Sequence, residues 1–186
     1  MELVSSNQKL LNGLKLLKPS IHRDFRGFFY ESYNKNILNK LLDEKIDFVQ
    51  DNISLSGIGT IRGLHFQKKN PQGKLIRVIK GKILDVVVDL RKDSSSFGKF
   101  QMIELSSRNK KLFWVPAGFA HGFQVISKTA EVMYKVTNFW DPDDEYTLNH
   151  DDIDVCIPWR NISKVISQKD QQGLSLNEIN TLGLYI

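Results

Sequence analysis

One cysteine, Cys156, stands in a chain of 186 residues, so no disulfide can close within it and a cytoplasmic home is the default. No stretch approaches the roughly 20 consecutive apolar residues needed to span a bilayer. The N-terminal run MELVSSNQKLLNGLKLLKP also has no uninterrupted apolar core of signal-peptide length. No repeat or low-complexity tract interrupts the chain. Charge of one sign is not concentrated either: 26 Lys and Arg against 21 Asp and Glu leave +5, scattered instead of blocked. That pattern suits an anionic metabolite better than a nucleic-acid groove, and neither a nucleic-acid nor a membrane partner is expected. Histidines number only four, so each can be weighed singly as a base or a metal ligand. What is present is 41% hydrophobic residues, enough over residues 1–186 for a single domain with a substantial core.

The apolar pattern is mostly strand-like. Residues 14–17 read as a short opening strand before Lys18-Pro19, and Asp24-Phe25-Arg26-Gly27 as a tight turn. Ile37, Leu38, Leu41 and Leu42 recur at helical spacing, so a helix is expected over 34–45. Residues 48–55 read as a strand, with Gln50, Asp51 and Asn52 as three polar side chains in a row. That marks an edge strand, a bulge or a polar cluster facing a pocket. Strands follow at 74–80 and 82–90, joined by Gly81, and at 100–105, 111–115, 122–126 and 131–137. Beyond residue 141 the chain turns acidic and irregular, which reads as solvated surface, and residues 167–173 look like a turn opening a short terminal helix. Short strands divided by Gly, Pro and Ser turns argue for an all-β barrel or sandwich.

The densest chemistry lies in residues 61–78, IRGLHFQKKNPQGKLIRV. His65 is a side chain able to take and return a proton near neutral pH, and Arg62 and Lys74 bring fixed positive charge close by. The same run also reads as two strands, a basic turn and a hydrogen-bonded core histidine. Arg26 and Glu31 are either solvated turn residues beside core aromatics or contacts for a ligand's anionic and hydrogen-bonding groups. Pro116-Ala117-Gly118-Phe119-Ala120-His121 has the P-x-G-x-x-H spacing of the second cupin motif, which points to a cupin-like jelly-roll barrel with a few short peripheral helices. A metal-binding cupin needs a second histidine two residues after the first, but here the run is His65-Phe66-Gln67. His22 and His150 have no ligand-spaced partner, so no metal is expected. Taken singly, Tyr134 reads as a core residue, His121 as a core histidine and Asp170 as a helix cap.

Taken together, the segments 24–31, 50–52, 61–67, 72–78, 116–123 and 134–137 resemble, in order, the dTDP-4-dehydrorhamnose 3,5-epimerase family, over roughly residues 14–170. The resemblance implies a cofactor-independent epimerase that inverts C3 and C5 of dTDP-4-keto-6-deoxy-D-glucose to give dTDP-4-keto-L-rhamnose. It implies His65 as the catalytic base with Asp170 as its carboxylate partner, Tyr134 as the proton donor and Lys74 near the C4 oxygen. Nucleotide and sugar contacts fall on Arg26, Glu31, Gln50, Asp51, Asn52, Arg62, His121, Glu145 and Lys169.

Both reacting hydrogens sit α to the C4 ketone, so removing either leaves an enolate on the ketone oxygen, and Lys74 would stabilise that charge. Tyr134, with a reference pKa of about 10, is expected to donate once a nearby cation lowers that value. The family is dimeric, which implies a homodimer whose N-terminal region, about residues 1–50, reaches its partner; about 141–186 form a C-terminal extension. The chain departs from the family at Phe139-Trp140, where a pair of tyrosines is usual. That keeps open an epimerase acting on one centre only, and an epimerase of another nucleotide-linked 4-keto sugar is a further alternative. A catalytically silent sugar-nucleotide-binding cupin is the non-enzymatic alternative.

Overall fold

Alternating apolar residues set up a barrel of short strands in the computed structural model, which describes residues 1–4 and 9–186. Residues 5–8, part of the N-terminal stretch weighed above as a leader, lie outside the described residues. In chain order the strands are β1 (Glu2–Leu3), β2 (Lys15–Lys18), β3 (His22–Asp24), β4 (Gly27–Phe29), β5 (Gln50–Gly57), β6 (Thr60–Gln67) and β7 (Lys74–Lys80). They continue as β8 (Lys82–Asp89), β9 (Phe100–Ser106), β10 (Leu112–Val115), β11 (Phe119–Val125), β12 (Thr129–Val136), β13 (Glu145–Thr147) and β14 (Val165–Ile166). The helices α1 (Lys35–Leu42), α2 (Gln168–Gln171) and α3 (Leu176–Thr181) are short and peripheral. One sheet has the order β1-β2-β10-β7-β12-β5, and the other β13-β6-β11-β8-β9 with β14 alongside β6. This is the all-β, cupin-like jelly-roll architecture that the motifs imply.

The core lies between the sheets and on both outer faces. Ile76, Val78, Phe113 and Val132 of the first sheet pack against Ile83, Val87, Leu105 and Val125 of the second. On the far side of the second sheet, Leu64, Val86 and Val88 are covered by Leu148, Val155 and Ile179 from the C-terminal segment. Leu38 of α1 and Ile46 cover Leu17, Leu75, Leu112 and Trp114 on the outside of the first. Coverage on both faces explains why β8, β10 and β11 are buried along almost their whole length, polar residues included. Helix α1 is shorter than the 34–45 expectation because Asn34 caps it, accepting the Ile37 N–H at 3.2 Å, and Asp43 ends it in a left-handed conformation.

The inner faces change character along the strands. In β7 the inward residues run from Lys74 to Ile76 and Val78, and in β12 from Tyr134 back to Val132 and Ala130. One end of the barrel is therefore polar and hollow, the other apolar and filled. Strand β5 is an edge strand, and its alternation turns Gln50, Asn52 and Ser54 inward. Its outward side carries Ile53 and Leu55, both about two-thirds exposed.

Strand β6 breaks the alternation at a bulge. Its ladder to β11 pairs His65 with His121 and Arg62 with Phe123, so Gly63 and Leu64 together oppose Gly122 alone. Arg62 and His65, three residues apart, thereby reach the same cavity. Gly63 has φ +103°, and a Cβ there would lie 2.5 Å from the His121 carbonyl oxygen, so no other residue fits this crossing without a shift.

Two expectations from the sequence are corrected here. The acidic stretch past residue 141 is not simply solvated surface: Asp144 is fully buried and accepts backbone N–H groups from Lys68, Lys69 and Asn70. Asp152, also buried, accepts from Val155 N and Leu176 N, tying the C-terminal segment down. The aromatics around the Asp24–Gly27 turn are not core: Phe25, Phe28 and Phe29 are exposed on the β3–β4 hairpin.

Candidate active site

The polar end of the barrel opens into a cavity of about 340 Å³. Its walls come from both sheets, with Asn52, Lys74 and Tyr134 from the first and Arg62, His65, His121 and Glu145 from the second.

His65 is held from behind. Its Nε2 lies 2.7 Å from Asp170 Oδ1, while Asp170 Oδ2 accepts the Gly63 N–H at 3.2 Å. Asp170 sits in the single turn of α2, where its own N–H bonds the N-cap oxygen of Ser167 at 3.1 Å, so a capping motif brings the carboxylate to a histidine 105 residues away. Burial pushes the Asp170 carboxyl up, but the bonds from His65, Gly63 and Ser167 together with the histidine's charge hold it below its ordinary value. An ionised Asp170 accepts from Nε2–H and leaves the Nδ1 lone pair as the basic site of the ring.

Lys74 is buried at the start of β7, with Nζ 3.4 Å from the His65 carbonyl oxygen. Burial lowers it to about 8 against the opposing pull of Glu145 and Asp85. Tyr134 departs from expectation. Burial first, and then the Glu145 charge, raise the phenol above its ordinary value, and the Arg62 cation opposes them without prevailing. The phenol therefore stays protonated near neutral pH, with a proton available to give. Arg62 is aimed by Ser56, whose Oγ accepts Nε–H at 2.9 Å.

His121 forms a second buried histidine–carboxylate pair, its Nε2 3.1 and 3.0 Å from the two oxygens of Asp85. Burial raises the Asp85 carboxyl, opposed by His121 and Lys74. Sequence reasoning passed over Asp85 because it lies inside the apolar run of β8. The available signal was a carboxylate alternating with Ile83 and Val87 on one face. Ser54 and Gln72 also line the cavity and were not singled out, and Trp140, marked by the sequence only as a departure from the family, lines it too.

Of the thirteen residues indicated by the sequence, eight line this cavity: His65, Tyr134, Lys74, Gln50, Asn52, Arg62, His121 and Glu145. Asp170 stands directly behind one of them, and Lys169, outside, bonds Glu145. Asp51 is not among them. Period two turns it to the outer face, where it pairs with Lys135 at 2.8 Å. Arg26 is in the exposed hairpin turn, paired with Asp24, and Glu31 accepts from Asn34 Nδ2 at 3.1 Å; neither lines the cavity of its own chain. Where a metal-binding cupin has its second ligand, the Gln67 amide bonds backbone atoms of residues 70, 139 and 141. Among the described residues, no group of three or more His, Cys, Asp or Glu side chains comes together to hold a metal, and no helix is long and apolar enough to cross a membrane.

The sequence model described as dTDP-4-dehydrorhamnose 3,5-epimerase matches residues 8–178. A protein of that name from Pseudomonas aeruginosa is 45% identical over 159 residues, 85% of this chain and 88% of its own length. Its Escherichia coli K12 counterpart is 43% identical over 171 residues, 91% and 92% of the two chains. Among solved structures, the dTDP-6-deoxy-D-glucose-3,5-epimerase of Legionella pneumophila in complex with dTDP-4-keto-L-rhamnose is similar with a TM-score of 0.92 at 40% identity, covering 97% of this chain and 95% of that one. Nearly the whole barrel and every segment that builds the cavity fall within these matches, and the chain belongs to the dTDP-4-dehydrorhamnose 3,5-epimerase family.

Proposed function

We propose that the protein inverts C3 and C5 of dTDP-4-keto-6-deoxy-D-glucose to give dTDP-4-keto-L-rhamnose, moving protons only and using no cofactor. The observation that carries this reading is that His65 and Tyr134 enter one cavity from opposite sheets, with Lys74 beside them. A planar enolate between the two walls meets a base on one face and an acid on the other. His65 Nδ1 takes the proton as the C–H bond breaks, and the electron pair moves onto the C4 oxygen, where the Lys74 ammonium stabilises it. Tyr134 then delivers its phenolic proton to the opposite face of the same carbon. Solvent resets the imidazolium and the phenolate, so atoms and electrons balance without a redox partner. Arg62 suits a diphosphate oxygen, where a planar fork outperforms a point charge. The Legionella relative, bound to dTDP-4-keto-L-rhamnose, supports the substrate class.

The test is to follow dTDP-4-keto-6-deoxy-D-glucose by NMR in deuterium oxide with purified protein. Label at C3 and C5 with formation of the L-sugar supports the proposal; tight nucleotide binding with no exchange would make the protein a silent cupin. A second reading, inversion at one centre, is favoured by Phe139 and Trp140, which offer no phenol near Tyr134. Equal, complete label at both carbons rules it out.

The protein acts, on this proposal, as a cytoplasmic homodimer in which Arg26 and Glu31 serve the partner's cavity. Supporting this are the fully exposed Phe25 and the outward Ile53 and Leu55 on edge strand β5, apolar surface that a monomer leaves wet. Analytical ultracentrifugation returning a 21.4 kDa particle would refute the dimer.

A further inference from the structure

Residues 138–141 form an irregular strap of which Trp140 lines the cavity, and each of the four makes a backbone hydrogen bond with a glutamine side chain. Gln72 Nε2 donates to the Asn138 carbonyl at 2.9 Å, and Gln67 Nε2 to the Phe139 carbonyl at 3.2 Å. The Trp140 N–H donates to Gln50 Oε1 at 3.0 Å, and the Asp141 N–H to Gln67 Oε1 at 3.1 Å. Gln67 is the buried member, only 3% exposed, and a third bond, from its Nε2 to the Asn70 carbonyl at 2.9 Å, fixes the amide's orientation. It grips the strap on both sides of Trp140, which lines the cavity although it is half exposed. Gln67 also lies in the same strand as His65, two residues on, so one strand fixes the base and the strap together. An amide serves here because it donates and accepts at once and carries no charge that changes with pH.

We infer that Gln67 is a positioning residue: through the strap it sets where Trp140 stands in the cavity wall, and so governs how tightly the sugar nucleotide is held without touching it. Gln67 does not touch the reacting atoms; it acts through the strap. This rests on the proposed epimerase reading for the identity of the ligand. The geometry of the strap stands apart from it, and the experiment separates the two.

The protein is labelled with 5-fluorotryptophan, which gives fluorine signals for its three tryptophans, Trp114, Trp140 and Trp159, with the Trp140 signal identified by its loss in Trp140→Phe. Gln67→Met keeps the side-chain volume and removes all three bonds. In the ligand-free protein it is expected to shift or broaden the Trp140 signal and leave the other two in place. With dTDP-4-keto-6-deoxy-D-glucose, KM is expected to rise about tenfold with kcat within about twofold, as misplacement of a binding wall predicts. An unmoved Trp140 signal overturns the inference, as does a fall in kcat at unchanged KM. Should Gln67→Met fail to fold, Trp140→Ala must show the same rise in KM, and an unchanged KM there overturns the role of the wall. If the unaltered protein does not turn the sugar over, the proposed function fails while the fluorine signals still decide whether Gln67 sets the strap.

Discussion

Replacing Lys74 with Met is expected to make the protein more stable and nearly inactive. Folding lowers this lysine from 10.5 to about 8, chiefly by burial, and the opposing pull of Glu145 and Asp85 is already contained in that value. The native chain therefore holds the proton about 3 kcal/mol more weakly than the unfolded chain. Below pH 8 both states are protonated, and the native state bears the whole of that cost. Between pH 8 and about 10.5 the native lysine sheds its charge while the unfolded one keeps it, so wild-type stability rises with pH through this window. Met fills a similar volume without charge, so Lys74→Met is expected to gain about 3 kcal/mol at pH 7 and to lose that advantage as the pH approaches 10.5. Urea unfolding at pH 7, 9 and 10.5 reads the difference directly. In the same variant kcat is expected to fall about 10²- to 10³-fold, the loss measured when one oxyanion donor is removed elsewhere. Turnover by the unaltered enzyme should decline above pH 8, as the ammonium is lost. A variant less stable than wild type at pH 7, or one keeping a tenth or more of its activity, refutes the reasoning that this charge is held at a structural cost for the enolate.

Tyr134→Phe should separate exchange from inversion: deuterium enters through His65 while net formation of the L-sugar falls about 10²- to 10⁴-fold, and loss of both together would point to a binding role. Asp170→Asn keeps the shape but removes the charge that orients and stabilises the imidazolium. Its kcat is expected to drop about 10³- to 10⁴-fold with KM within about twofold, and a KM effect alone would contradict the assignment. Gly63→Ala forces a Cβ to within 2.5 Å of the His121 carbonyl at φ +103°, and should cost about 3 kcal/mol; an unchanged urea midpoint would show that the β6 bulge tolerates side chains.

Most of the long strands were legible because period-two alternation is a local property, and an edge position was one of the readings left open for β5. Faces were less so. Gln50, Asp51 and Asn52 look equivalent as a polar run, yet the pleat sends Asp51 outward, and only pairing with Lys135 reveals the side it occupies. In β6 the reverse holds: strict alternation would separate Arg62 from His65, and the bulge that unites them depends on Gly63 meeting Gly122 across the ladder. Asp170 reads locally as a cap residue, and it does bond its N-cap serine; its role beside His65 came from the family resemblance, because no local pattern spans 105 residues. The cation expected to lower Tyr134 is present as Arg62, but burial outweighs it, and burial is a property of the closed barrel. Asp144 and Asp152 misled for the same reason, since a carboxylate in an acidic stretch shows nothing of the backbone amides that fold around it.

The change of character along β7 and β12 has an evolutionary consequence. A step of two residues separates Lys74 from Ile76 and Tyr134 from Val132, so chemistry and structural ballast share strands without sharing positions. Mutations at the hollow end can retune which activated sugar is accepted while the filled end continues to hold the sheets together. A scaffold divided in this way can diversify its substrates without first risking its fold.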